Sequence, residues 1–148
     1  MLYKKIIAII LIAIPAFSFA QYTGDDTTYT KAIEADCDGK VFTRVETIPS
    51  VKNGNAAFAD SISNYLKAKN ISFKNTKVAF RILVSSKSQL LVIRKEDGNV
   101  SNEPVLKEAL LLFSNLWIPA KQNSYIVCAY VRCEMEFIDD KLTVNIRQ

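Results

Sequence analysis

Ser124–Ile138 reads SYIVCAYVRCEMEFI, and its alternation decides the fold. Tyr125, Val127, Ala129, Val131, Cys133, Met135 and Phe137 are nearly all core-type residues. Tyr130, Arg132, Glu134 and Glu136 suit solvent. A period of two over this length predicts a strand of an antiparallel sheet with one buried face. Asp139-Asp140 then predicts a turn, and Leu142, Val144 and Ile146 predict a short terminal strand. Upstream, Lys77–Ser85 alternates Val78, Phe80, Ile82 and Val84 against Ala79, Arg81 and Leu83. Gln89–Lys95 follows after SSKS, so the two read as a hairpin.

Two amphipathic segments complete the pattern. Phe58, Ile62, Tyr65 and Leu66 share one face of a helix over Ala56–Lys69, with Asn55 as its expected N-cap. Pro104 suits a helical first turn. From there Val105, Leu106, Ala109, Leu110, Leu112, Phe113 and Leu116 form a wide apolar stripe, so Pro104–Leu116 reads as a buried helix. Pro49–Gly54 reads as a turn and Val41–Val45 as a weak strand. The sum is an α+β domain, with two helices packed on one face of a small antiparallel sheet.

The N-terminus reads as an export signal. Lys4 and Lys5 precede the apolar run Ile6–Ile14, and Ser18 and Ala20 are the small residues before a cut between Ala20 and Gln21. The run is shorter than the ~20 residues needed to span a bilayer. A periplasmic or secreted protein is expected, with an uncleaved inner-membrane anchor as the less favoured alternative. No stable membrane span is expected after processing. The organisation is thus a signal peptide (1–20), an irregular polar arm (21–44) and one domain (45–148).

Composition narrows function. The chain of 148 residues has no histidine, which excludes Ser-His-Asp triads, Cys-His dyads and His-ligated metals. It carries no GxGxxG and no GxxxxGK[ST]. Processing takes away two lysines and no acid, leaving 17 basic and 15 acidic side chains. A net charge of +2 gives no footing for nucleic-acid binding. Glu134 and Glu136 are paired carboxylates on one strand face, read as solvated and not as a catalytic pair. No enzyme activity, metal or cofactor is expected.

Three cysteines in an exported chain leave one over. Cys128 and Cys133 lie ~17 Å apart on opposite strand faces and cannot bridge. Cys133 belongs to the apolar face. A Cys37–Cys128 bond stapling the arm across the open sheet face stands as one alternative, and two unpaired thiols as the other.

The chain also resembles a known family. Val45-Glu46 with Pro49, Ala57-Phe58, Tyr65-Leu66, Ile71-Ser72-Phe73, Glu108-Ala109-Leu110 and above all Trp117-Ile118-Pro119-Ala120 are similar to TonB C-terminal-like domains of Bacteroidetes-type bacteria. The likeness runs from about Val45 to Phe137. Lys74 stands where the family commonly has proline, and no Pro-rich spacer is present among 4 prolines. The resemblance implies a periplasmic module that binds a protein or an extended peptide, such as an outer-membrane receptor segment, by β-strand addition. It is not expected to be a complete energy transducer. Trp117 and Pro119 would be structural anchors. The pairing strand would run along Tyr125, Val127, Ala129, Tyr130 and Arg132, with the terminal strand capping its edge or joining two copies. The alternative is a structural or accessory exported protein that keeps the fold without the peptide site.

Overall fold

The computed structural model describes residues 33–148. The expected signal peptide, its expected Ala20/Gln21 cut and the first part of the arm lie outside the described residues. After a helical turn at 33–37, the elements are β1 (Ser50–Val51), α1 (Gly54–Ala68), β2 (Thr76–Val84), β3 (Leu90–Asp97), α2 (Glu103–Leu112) and a 3-10 turn (Ser114–Leu116). There follow β4 (Trp117–Ile118), β5 (Ala120–Gln122), β6 (Tyr125–Val127), β7 (Ala129–Ile138) and β8 (Lys141–Arg147).

The fold is α+β. Four strands form the central antiparallel sheet in the order β3-β2-β7-β8. Strand alternation puts one apolar set on one face: Phe80 lies opposite Cys133, Ile82 opposite Val131, and Val144 opposite Met135. Phe58, Ile62 and Leu66 of α1 and Leu106, Ala109 and Leu110 of α2 join that set in a single core cluster. Both helices therefore cover the same face. Trp117 fills the corner between them, fully buried and edge-on to Phe58 at 5.6 Å between ring centres.

Several local expectations are corrected. The helix cap is Asn53, not Asn55, at φ 63° and without a side-chain hydrogen bond. The Pro49–Gly54 segment is not only a turn, because Ser50 and Val51 pair with Ile118 and Trp117. A two-residue strand is too short for alternation to reveal. The same pairing draws Trp117 into the core, so α2 stops at Leu112 and the chain tightens into the 3-10 turn. Leu112, assigned to the buried stripe, is 44% exposed.

The long strand is also broken. At Cys128 the chain changes partner, and β6 pairs with β5 through an Asn123-Ser124 turn at φ 49° and 66°. Tyr125 is therefore 76% exposed, not a core residue. Alternation persists across Cys128 because a change of partner leaves the period of two intact. Pro119, lacking an N–H, separates β4 from β5, which belong to different sheets. Nor is the arm irregular throughout, since residues 33–37 are helical. Asp38 and Gly39, at φ 49° and 68°, end that turn.

Gly98 closes β3 at φ +88°, and an added Cβ would meet the Lys77 carbonyl oxygen at 2.2 Å. Gly98→Ala is therefore expected to cost roughly 2–3 kcal/mol, because both the left-handed conformation and the backbone contact must yield. Urea unfolding measures it. An unchanged midpoint would show that the loop re-forms without this close approach.

Candidate functional site

The strand assigned to peptide pairing is not an open edge. β7 runs inside the sheet, with β2 on one side and β8 on the other. Tyr125 and Val127 belong to the separate β5–β6 hairpin. Ala129 and its neighbours, which extend beyond the end of β8, are met by the arm. Phe42 donates its N–H to the Cys128 carbonyl and accepts from the Tyr130 N–H, each at 3.0 Å. The weak strand expected at Val41–Val45 is thus this one bridge to Ala129.

The polar residues of that strand are engaged. The Arg81 guanidinium stacks over the Tyr130 ring at 4.7 Å. Arg132 donates from Nε to Glu134 at 3.0 Å and also pairs with Glu96. Arg147 pairs with the same Glu134 oxygen. These charges come from β2, β3, β7 and β8, so the network spans all four strands on the face away from the helices. Sequence reading placed Arg132 and Glu134 on one face but gave no register to join them to Glu96 and Arg147.

Hydrogen bonds from Arg132 and Arg147 hold the Glu134 carboxyl below the usual carboxylate range. A depressed folded-state pKa stabilises above the unfolded value and loses that stabilisation as pH falls through the folded one. Stability should therefore decline as pH drops below about 4, starting from the unfolded carboxylate pKa. Glu103, through Lys107, and Glu108, through Lys69, act in the same direction. Glu134→Gln should flatten the acid limb of a urea-midpoint profile. A limb identical to that of the unmutated protein would remove Glu134 from this account.

Among the described residues the central sheet ends in two edge strands, β3 and β8, and they differ. Pairing of β3 with β2 shifts register at two places, between Ala79 and Phe80 and between Leu83 and Val84. Such bulges twist an edge away from an incoming strand. β8 pairs with β7 over seven consecutive residues without a shift. The expected capping is therefore observed, with a correction. Leu142, Val144 and Ile146 are buried core residues, so β8 is an integral strand and not a removable cover.

The outward backbone groups of β8 follow from its turn. Asp139 and Asp140 have φ 47° and 63°, the two-residue turn that suits a tight hairpin. The residues closing such a turn, Ile138 and Lys141, form a hydrogen-bonded pair, and pairs then alternate along the ladder. Lys141, Thr143, Asn145 and Arg147 therefore direct their N–H and C=O toward β7. Leu142, Val144 and Ile146 direct theirs outward. Among the described residues, no backbone hydrogen bond to another segment uses them.

On this same face of the sheet, away from the helices, Cys37 is bonded to Cys128, with Cα atoms 5.6 Å apart. The bond holds Ile33 and Val41 over Leu83, Leu91, Val92 and Tyr130. The SSKS turn clamps the same place. Ser86 donates its hydroxyl to the Asp36 carbonyl at 2.8 Å, and Lys87 pairs with the Asp36 carboxylate at 2.7 Å. Gln148 fastens the other end of the arm, donating to the Thr43 carbonyl and accepting from the Val45 N–H. Cys133 lies buried on the helix-covered face, and burial pushes its thiol up to about 12. It is a core residue and not a nucleophile.

Compared with known proteins, the chain matches no family model, no curated sequence and no solved structure. Among the described residues, no helix is long and apolar enough to cross a membrane.

Proposed function

We propose that this chain is an exported binding module, not an enzyme, that takes an extended protein segment by strand addition along the outer edge of β8. The observation that carries the reading is the contrast between the edges: seven residues of unbulged strand at β8 against two register shifts at β3. Main-chain hydrogen bonds to Leu142, Val144 and Ile146 would supply affinity. The exposed side chains of Lys141, Thr143 and Asn145 would then lie beside the incoming strand and select among partners. Element order and the Trp117-Ile118-Pro119-Ala120 step support grouping the chain with TonB C-terminal-like domains, whose partners are receptor segments in the periplasm. The reading is of a binding module and not of a complete energy transducer.

The test is hydrogen exchange at single amides. Extended peptides selected from a displayed heptapeptide library should slow exchange at Leu142, Val144 and Ile146. Thr143 and Asn145, already bonded to β7, should change little. Binding that protects only β3 or the β5–β6 hairpin would overturn the assignment. Concentration-dependent protection of the same three amides without peptide would make a second copy of the chain the occupant.

A further inference from the structure

Cys37 and Cys128 are both buried, at 7% and 2% exposure, yet both form the floor of a surface groove. An open groove of about 490 Å³ runs between the arm and the β5–β6 hairpin, and both cysteines line it. Lys40 stands on one wall. Tyr125 and Ile126, 76% and 56% exposed, stand on the other. Two large apolar side chains at one hairpin tip have no role in the core. Their position beside a groove that both cysteines line supplies one.

We propose that this groove is the docking site for a dithiol oxidoreductase, which opens and closes the Cys37–Cys128 bond while resting on Tyr125 and Ile126. The occupant is fixed by the chemistry at the groove: the group presented there is a disulfide, and its reaction partner is a protein dithiol. The first thiolate of that dithiol attacks Cys37 Sγ. The new sulfur–sulfur bond forms as the Cys37–Cys128 bond breaks, and Cys128 leaves as a thiolate that takes up a proton. The second thiol of the partner then displaces Cys37 as a thiol and closes the partner's own disulfide. Two electrons pass from the partner to this chain, and the reverse sequence oxidises it.

Two observations select Cys37 as the attacked sulfur. It is the more exposed residue of the pair, at 7% against 2%. Cys128 Sγ also lies 3.3 Å from the Ser86 backbone N–H, a donor to the leaving sulfur, and 3.4 Å from the Asp36 carbonyl, which can accept from the thiol once it has taken up its proton. Reduction would remove the arm's covalent link, leaving it held by the two Phe42 backbone bonds, the Asp36 contacts with Ser86 and Lys87, and the Gln148 contacts with Thr43 and Val45.

The test compares reductants on the oxidised protein. Tyr125→Ser with Ile126→Ser removes exposed side chains only, so the fold should persist. Reduction by a thioredoxin-fold dithiol protein should slow about tenfold or more, as expected from the loss of apolar contact area. Reduction by dithiothreitol should be unchanged. A version of the partner that lacks its second thiol should be trapped on Cys37. Equal slowing with both reductants, no slowing with either, or a native bond that neither reduces would overturn the docking site. Trapping on Cys128 would overturn the assignment of the attacked sulfur.

Discussion

Replacing Cys37 and Cys128 together by alanine should lower the unfolding free energy by about 4–5 kcal/mol, the loop-entropy value for this span. The span is 91 residues, so the bond removes much of the freedom of the unfolded chain. For a domain of this size the change corresponds to a fall in Tm of roughly 15–20 °C. The native state also loses contacts, since Ile33 and Val41 are held over Leu83 and Tyr130 by that link. Thermal unfolding with and without reductant, beside the double variant, measures the effect. The reduced protein and the double variant should agree. A midpoint that stays within a few degrees of the oxidised protein would mean that the arm docks as firmly without its covalent link.

Trp117→Ala is the second large effect, expected to cost about 3–5 kcal/mol. Trp117 is fully buried, packs edge-on against Phe58, and is the residue through which β4 pairs with Val51 of β1. Truncation leaves a cavity where the two helices, the short ribbon and the sheet meet. Trp117→Phe should cost much less. Among the described residues the indole N–H has no hydrogen-bond partner, so phenylalanine removes a buried donor as well as some volume. Urea unfolding of both variants, at unchanged slope, measures the pair. If phenylalanine proves as damaging as alanine, the indole N–H is in use after all.

The central sheet and the two helices were legible because their signals are periodic. Val78, Phe80, Ile82 and Val84 alternate on their own, and Phe58, Ile62 and Leu66 mark a helix face without help from distant residues. The pairing of strands was not legible in the same way. Nothing in Ser124–Ile138 marks Cys128 as the place where the chain leaves one sheet for another, and so Tyr125 was assigned to a core that it does not enter. Cys37 and Cys128 could be compared because bond geometry excludes a partner five residues away. That argument left two alternatives open, and the structure contains the bonded one. The candidate site fared worse. An edge is a property of what lies beside a strand, and β8, Phe42 and the bulges of β3 occupy or spoil edges through contacts between residues far apart in sequence.

The ring that the disulfide closes contains all of α1, α2 and β1 to β6. A protease cutting any loop inside that ring, such as the exposed turn after β3, makes two fragments that remain one covalent molecule. The severed pieces keep their neighbours at high local concentration and can settle back around the same core. The bond thus converts a cut that would separate two fragments into a nick within one molecule.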